Sequence, residues 1–319
     1  MVVLYLVPMA VYEKKMSRVR FQQVARLGAH PRVHLALSGP GWPDGAEGRA
    51  VVENIAAIRA KGNETPNVVL AYQVEGLAEV PLIKVTSFNE AFDQAKVNRY
   101  VLDNRFDLVI FHHANDLPRY GHWDRAGVRR VHIPHCAEPT VYRDYGLPKD
   151  LDILVTGNLN SYYYPFRVRL SRLAVQYFRK HGYRVLIQPH PGYGLPPREG
   201  TVVGPDFAQL LNRAKVVFTC SMRFKYALAK YSEIALCRAL PVADLPDERQ
   251  DFFREATLNV EPWMTDQDII RAVEEVLDDP ELLARRTLEA MEMTQKTSVM
   301  PLYADRFVEA VFERFPELR

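Results

Sequence analysis

Short apolar runs alternate with helix-like segments along the whole chain, and near residue 153 the order starts again; this alternation constrains the fold more than any single motif. In the first half, residues 2–7, 33–38, 68–72, 81–86, 108–111 and 131–134 read as strands, and 16–27, 51–60 and 92–104 as helices. Strands separated by helices need crossover connections, and crossovers make parallel sheets. The second round runs strand 153–157, helix 166–181, strand 184–188, helix 207–214 and strand 216–220. A helix from Lys225, a buried strand Leu-Pro-Val-Ala and an acidic loop from Asp244 to Glu248 follow, with Arg238 and Ala239 at the turn. The remainder is helical: Thr265 caps 269–277, and 280–292 and 303–315 come after it. The expected fold is therefore α/β, with two Rossmann-like doubly wound domains facing a cleft, 1–147 and 148–300. C-terminal helices complete it, with 301–319 available to pack back on the first domain.

Size supports this division. A chain of 319 residues outgrows one core and suits two domains of roughly 150 residues each. At 48% hydrophobic and 25% charged it is ordinary globular material, and a net charge of +2 lacks the basic excess of many nucleic-acid binders while leaving a local basic patch open. Cys136, Cys220 and Cys237 have no metal-ligand spacing, two of them fall in apolar runs where a buried thiol is the plain reading, and a reducing compartment is expected. The apolar start 2–11 contains Pro8 and lacks the basic lead and cleavage pattern of a signal peptide. With no run of about 20 apolar residues to span a bilayer, a cytoplasmic protein without a transmembrane segment is expected.

Polar residues cluster at strand exits, where open α/β sheets hold their ligands. His112, His113, Asn115 and Asp116 follow 108–111; Gly157, Asn158 and, further on, Arg167 follow 153–156; His190 and Gly192 follow 184–188. Adjacent residues of an extended exit point to opposite sides, so only one of the two histidines lines the cleft. The phase of Val109 and Phe111 selects His113, which with Asp116 is the candidate acceptor of a substrate proton. Gly39-Pro40-Gly41 makes a poor phosphate loop, because Pro40 lacks an amide donor, and reads as a loop on the acceptor side. Asp150-Leu-Asp152 precedes its strand and Asp266-Gln-Asp268 opens a helix, so neither is expected to hold a metal.

Several passages carry a family likeness. Lys225-Tyr-Ala-Leu-Ala-Lys-Tyr-Ser-Glu233-Ile-Ala-Leu-Cys-Arg-Ala-Leu, followed by Pro-Val-Ala-Asp244, resembles the sugar-nucleotide segment of GT-B glycosyltransferases of the family 4 type. There, Glu-Ala-Leu-Ala-Cys-Gly-Ala-Leu precedes an apolar strand and Asp. The segment from Asp150 to Asn158, with Tyr164-Pro-Phe-Arg167, looks like the strand, Gly loop and Pro-x-Arg of spore-coat glycosyltransferase-like members. The stretch from Phe207 to Ser221 is similar to their helix and strand before the donor site, and Val131-His-Ile-Pro-His-Cys-Ala-Glu138-Pro-Thr-Val-Tyr142 to their interdomain connector.

The likeness spans about 112–248 and implies a transferase acting on a nucleoside-diphosphate sugar, UDP- or GDP-linked. It implies Glu233 on the ribose hydroxyls, and Arg167, Lys225, Lys230, Gly157, Asn158, Ser221 and His190 around the rest of the donor. No metal and no cofactor beyond that co-substrate are expected. Two departures stand out: Arg238 occupies the usual Gly position, and Lys225 occupies the place of the first of two glutamates eight residues apart, which leaves the stereochemical outcome open.

Plainer readings stand beside these. Glu233 pairs with Lys230 or Lys225 at a surface; Arg167 pairs with an acidic neighbour; His190 caps backbone in its Pro-His-Pro turn. A sugar-nucleotide epimerase or hydrolase of the same fold, and a non-catalytic two-domain binding protein, are the alternatives to a hexosyltransferase. The acceptor stays open among a glycan, a lipid head group, a protein and a modified nucleic-acid base.

Overall fold

The computed structural model describes residues 1–15, 18–43, 65–192 and 201–319. The helix expected over 51–60, and Met16 at the start of another, lie outside them. The chain forms two compact units: Met1–Pro134 with Pro301–Arg319, and the described residues from His135 to Met300.

In the first unit, β1 (Val2–Leu6), β2 (His34–Ser38), β3 (Val68–Ala71), β4 (Ile83–Phe88), β5 (Leu108–Phe111) and β6 (Arg129–His132) form one sheet in the order β2-β1-β3-β4-β5-β6. Every pairing is parallel, so all strand C-termini share one edge. Continuous apolar runs are what a sheet covered on both faces requires; β3 and β5 are buried at every position. One face packs Leu4, Leu6, Val69, Val109 and Phe111 against Tyr120 and Trp123, with Phe111 stacked 5.2 Å from Tyr120. Helices α1 (Met9–Lys14), α2 (Val19–Gly28) and α3 (Gln94–Asp103) belong here. The first was not expected: Pro8, with its fixed φ of −59°, ends β1, and the apolar residues beyond it turn helical. The segment 301–319 joins this unit through Tyr303 beside His112, Arg32 over Phe312 and Arg129 over Phe315.

In the second unit, β7 (Leu151–Gly157), β8 (Val185–Pro189), β9 (Ala214–Phe218), β10 (Leu240–Ala243) and β11 (Leu258–Asn259) run parallel in the order β11-β10-β9-β7-β8. Around them lie α4 (Pro165–Gln176), α5 (Gly204–Arg213), α6 (Ala229–Leu236), α7 (Gln250–Ala256), α8 (Asp266–Leu277) and α9 (Pro280–Thr297); α10 (Met300–Arg314) closes the chain. The connector after His135 is tied in early: Ala137 pairs with Val299, and the Asn212 side chain holds the Tyr145 amide and the Arg143 carbonyl. The helix expected from Lys225 starts only at Ala229, because Met222 and Lys225 adopt left-handed backbone, φ 52° and 54°, and Leu228 is extended. That loop carries Lys225 out of the helix and into a site. No helix among the described residues is long and apolar enough to cross a membrane.

Thr265 caps α8 as its sequence foretells: its hydroxyl accepts from the Asp268 amide at 3.1 Å and donates to the Asp268 carboxylate at 2.6 Å. Thr265→Ala removes both bonds without touching the core. It is expected to lower unfolding free energy by about 1 kcal/mol, read as a lower urea midpoint at unchanged slope.

Candidate functional site

The order β10-β9-β7-β8 makes the chain leave β7 to one side for β8 and return on the other as β9. The gap between β7 and β9 is the switch point where open parallel sheets bind ligands. Arg167, in the first turn of α4, fills it. Its Nη1 donates to the Asn158 carbonyl at 3.0 Å, and its Nη2 to Thr219 Oγ1 at 3.2 Å and the Cys220 carbonyl at 3.5 Å. One guanidinium thus ties the exit of β7 to the exit of β9. It is 2% exposed, lies over the Tyr164 ring, and among the described residues no carboxylate pairs with it and its Nε has no hydrogen-bond partner. The plain reading of Arg167 as half of an ion pair does not hold.

Gly157 makes this placement possible. Its φ is +107°, and a Cβ there would meet Arg167 Nη1 at 2.7 Å.

Other expected donor residues belong to the same unit. Glu233 on α6 is 4% exposed and accepts from Lys230 Nζ at 3.3 Å. The Tyr142 hydroxyl faces it; burial first, then the Glu233 charge, raises that hydroxyl well above its ordinary value. Tyr142 was not singled out in the sequence, although it stands in the connector motif. His190 accepts from the Gly192 amide through Nδ1 at 2.9 Å, so its turn role is real. Its pKa is nonetheless drawn down to about 4, by burial first and then by the charges of Lys230 and Arg167. Three sequence-distant groups, from the exit of β8, from α4 and from α6, therefore share one electrostatic neighbourhood.

Lys225 and Ser221 both bond to Asp244. Lys225 Nζ donates to Asp244 Oδ2 at 2.8 Å, the Leu245 carbonyl at 3.2 Å and Glu261 Oε2 at 3.5 Å. Partial burial lowers its pKa, but Asp244 and Glu261 outweigh that and leave it raised. It is a cation neutralised by two carboxylates. Ser221 gives its amide and hydroxyl to the two oxygens of Asp244, at 2.8 and 2.5 Å. This group borders a cavity of about 360 Å³ lined by Phe166, Cys220, Arg223, Lys225, Asp244 and Pro262 among others, within the usual range for small-ligand sites. Arg223, exposed and stacked 4.1 Å over Tyr162, adds a cation that sequence reading did not mark.

The carboxylate triplets are ion-paired: Asp150 to Arg213, Asp152 to Arg184 and Lys215, and Asp266 to Arg169. Among the described residues no group of three or more potential metal ligands forms.

At the exit of β5 in the first unit, both histidines are fully buried. His112 is a core histidine: its Nδ1 lies 2.9 Å from the Ile133 carbonyl, its Nε2 3.4 Å from Gln23, and burial drops its pKa to about 3. His113 shares its surroundings with Asp116 and Glu90. Asp116 is itself fully buried, accepts from the Ala91 amide at 3.2 Å and stands 3.8 Å from Arg119.

Both cations lower the pKa of His190, so removing one raises it. In Lys230→Gln the His190 midpoint, followed by the ring Cε1–H signal in NMR, is expected to move up from about 4 toward the ordinary value near 6.5. Stability carries the same sign. With the folded pKa depressed, the unfolded chain binds the extra proton, so this group's contribution is full above about 6.5 and is lost as pH falls toward 4. An unmoved midpoint in the variant refutes the shared neighbourhood.

No protein-family model matches the sequence, and no curated protein matches it. Solved structures match it over nearly its whole length. An α-glucosyltransferase in complex with UDP-glucose and DNA containing an abasic site aligns with a TM-score of 0.67 at 10% identity, covering 98% of this chain and 99% of that one. HepE of Anabaena in complex with UDP-glucose aligns at 0.61 and 14% identity, covering 98% and 100%. Sucrose-phosphate synthase from Thermosynechococcus elongatus aligns at 0.61 and 13%, covering 99% and 100%. Two doubly wound parallel sheets with C-terminal helices, aligned end to end with these proteins, give this chain the GT-B fold of glycosyltransferases.

Proposed function

We propose that this protein is a glycosyltransferase that takes a sugar from a nucleoside-diphosphate donor, with UDP the first base to test, and passes it to an acceptor hydroxyl. The observation that carries the reading is Arg167: a buried guanidinium without a carboxylate partner among the described residues, at the switch point of its sheet, acting with Lys230 on His190. Departure of a nucleoside diphosphate builds negative charge on its β-phosphate, and a preorganised cation lowers that barrier most where water is excluded. A guanidinium fork and the N-terminus of α4 both suit phosphate oxygens. Lys230 supplies the second charge. Lys225, neutralised by Asp244 and Glu261, is reassigned from holding phosphate to shaping the cavity wall. Glu233 offers two carboxylate oxygens to the vicinal ribose hydroxyls. The UDP complexes of HepE and the α-glucosyltransferase support the choice of base.

For the acceptor proton we assign His113, with Asp116 beside it. His112 is unsuited, since both its ring nitrogens face core partners. Because His113 is buried here, an acceptor reaches it only when surrounding side chains give way. No divalent ion has a part in this scheme, since side-chain cations do its work.

A thermal-shift panel of UDP, GDP, CDP and TDP tests the donor directly, because a ligand of the folded state raises the melting temperature by mass action. UDP is expected to stabilise the chain. Glu233→Ala should weaken UDP more than tenfold, as loss of a charged hydrogen bond of about 1.5–3 kcal/mol requires. Arg167→Ala should cut UDP-sugar turnover by orders of magnitude, and His113→Ala by roughly 100-fold or more with donor affinity retained. Turnover should persist in EDTA. Binding of UDP with neither transfer nor hydrolysis of its sugar would leave a binding protein; activity abolished by chelator and restored by Mn²⁺ would overturn the metal-free mechanism.

A further inference from the structure

Cations also gather at the switch point of the first sheet. In the order β2-β1-β3-β4-β5-β6 the chain leaves β1 to one side and returns on the other as β3. Tyr72 follows β3 at that point, Tyr12 and Arg20 come from α1 and α2, and Lys15 and Arg18 are the caps at the end of α1 and the start of α2. Arg20 is 8% exposed; its Nη1 donates to Ser87 Oγ at 2.6 Å, its Nη2 to Asn89 Oδ1 at 3.4 Å, and its guanidinium lies 4.0 Å from the Tyr72 ring centre. Lys15 Nζ donates to the Tyr72 hydroxyl and lies 4.8 Å from the same ring centre. Arg18 donates to the Tyr12 carbonyl and lies over the Phe21 ring at 4.6 Å; burial pulls its pKa below the ordinary value.

Among the described residues none of these three cations is ion-paired; their partners are hydroxyls, an amide oxygen, a carbonyl and ring faces. Like charges drawn together without a counter-charge repel, and burial sharpens the repulsion. Aromatic faces relieve part of it. A phosphate dianion supplies the charge that is missing, and an anchored guanidinium presents donors suited to its oxygens. We propose that this cluster binds a phosphomonoester carried by the acceptor, which makes the acceptor a small phosphorylated sugar or polyol; the inference rests on the glycosyl-transfer reading above. Two features favour a small molecule over a polynucleotide. Arg20 and Lys15 converge on the Tyr72 ring and Arg18 on the Phe21 ring beside it, 6.4 Å between centres, a compact group and not a track, and β5, whose exit carries His113, lies two strands from β3, about 10 Å away. A hexose phosphate has that reach, with ring faces beside it for its apolar side.

The test is calorimetric titration of the full chain without donor. Its probes are glucose 6-phosphate, fructose 6-phosphate, glucose, inorganic phosphate and a single-stranded oligonucleotide. A hexose 6-phosphate is expected to bind at least tenfold more tightly than either glucose or inorganic phosphate, and Arg20→Gln and Lys15→Gln are each expected to weaken it at least tenfold. Lys15 is only half-buried, so its variant carries the test if Arg20→Gln does not fold. No binding of either hexose phosphate, equal binding of glucose, or an affinity unmoved by Lys15→Gln overturns the proposal. Inorganic phosphate binding as tightly as the hexose phosphates reduces the site to a free-anion site and overturns the acceptor assignment, and tighter binding of the oligonucleotide overturns it in favour of nucleic acid. Because no donor is in the cell, failure here is separate from failure of the donor reading, which shows as absent stabilisation by every nucleoside diphosphate.

Discussion

The second unit is organised by one buried guanidinium. Arg167 bonds to backbone or side chain just past β7 and just past β9, the two neighbouring strands whose exits diverge at the switch point. Without those bonds the carbonyls of Asn158 and Cys220 would lose partners beside a buried face, and unsatisfied buried groups are costly. The same contacts leave a positive charge in place that no carboxylate among the described residues cancels. Structural role and ligand field are therefore inseparable here: what joins the two exits also makes them attract anions, and Gly157 keeps the space that both need.

The two units repeat this arrangement with different materials. In the second, a single Arg is fixed by backbone and hydroxyl oxygens and is seconded by Lys230. In the first, three cations are distributed over the rings of Tyr72, Tyr12 and Phe21 and anchored by Ser87 and Asn89. Oxygen lone pairs hold Arg167 in a narrow geometry. Ring faces stabilise charge over a wider area and with looser direction, which suits a less uniform partner than a diphosphate.

Much of the fold was legible because strands of this kind announce themselves. Runs such as Leu108–Phe111 are short, apolar throughout and bounded by polar residues, and their alternation with helices leaves few topologies open. What was not legible came from backbone conformations that side-chain pattern does not encode. Lys225 sits in a left-handed turn that no glycine marks, so its segment resembled helix and its amine was credited to phosphate when it belongs to Asp244 and Glu261. Arg167 was visible as a candidate through its place after a Gly loop, but its partners, oxygens of Asn158, Thr219 and Cys220, come from segments far apart in the sequence. The histidine pair shows the opposite limit: strand phase distinguishes two faces, and here both faces are covered, so His112 and His113 are buried alike.

Arg238 ends α6 with a φ of 56°, a conformation that costs a residue with a Cβ about 1 kcal/mol or more and that related segments assign to Gly. Its surroundings compensate: Lys149 Nζ binds its carbonyl at 2.7 Å, its amide returns to Ala235, and its guanidinium stands near Asp144. The turn survives through contacts to a lysine and an aspartate far from it in the sequence. A shape held by such distant contacts leaves no short motif in the sequence around it, so the bend is specified by residues that a local reading never sets side by side.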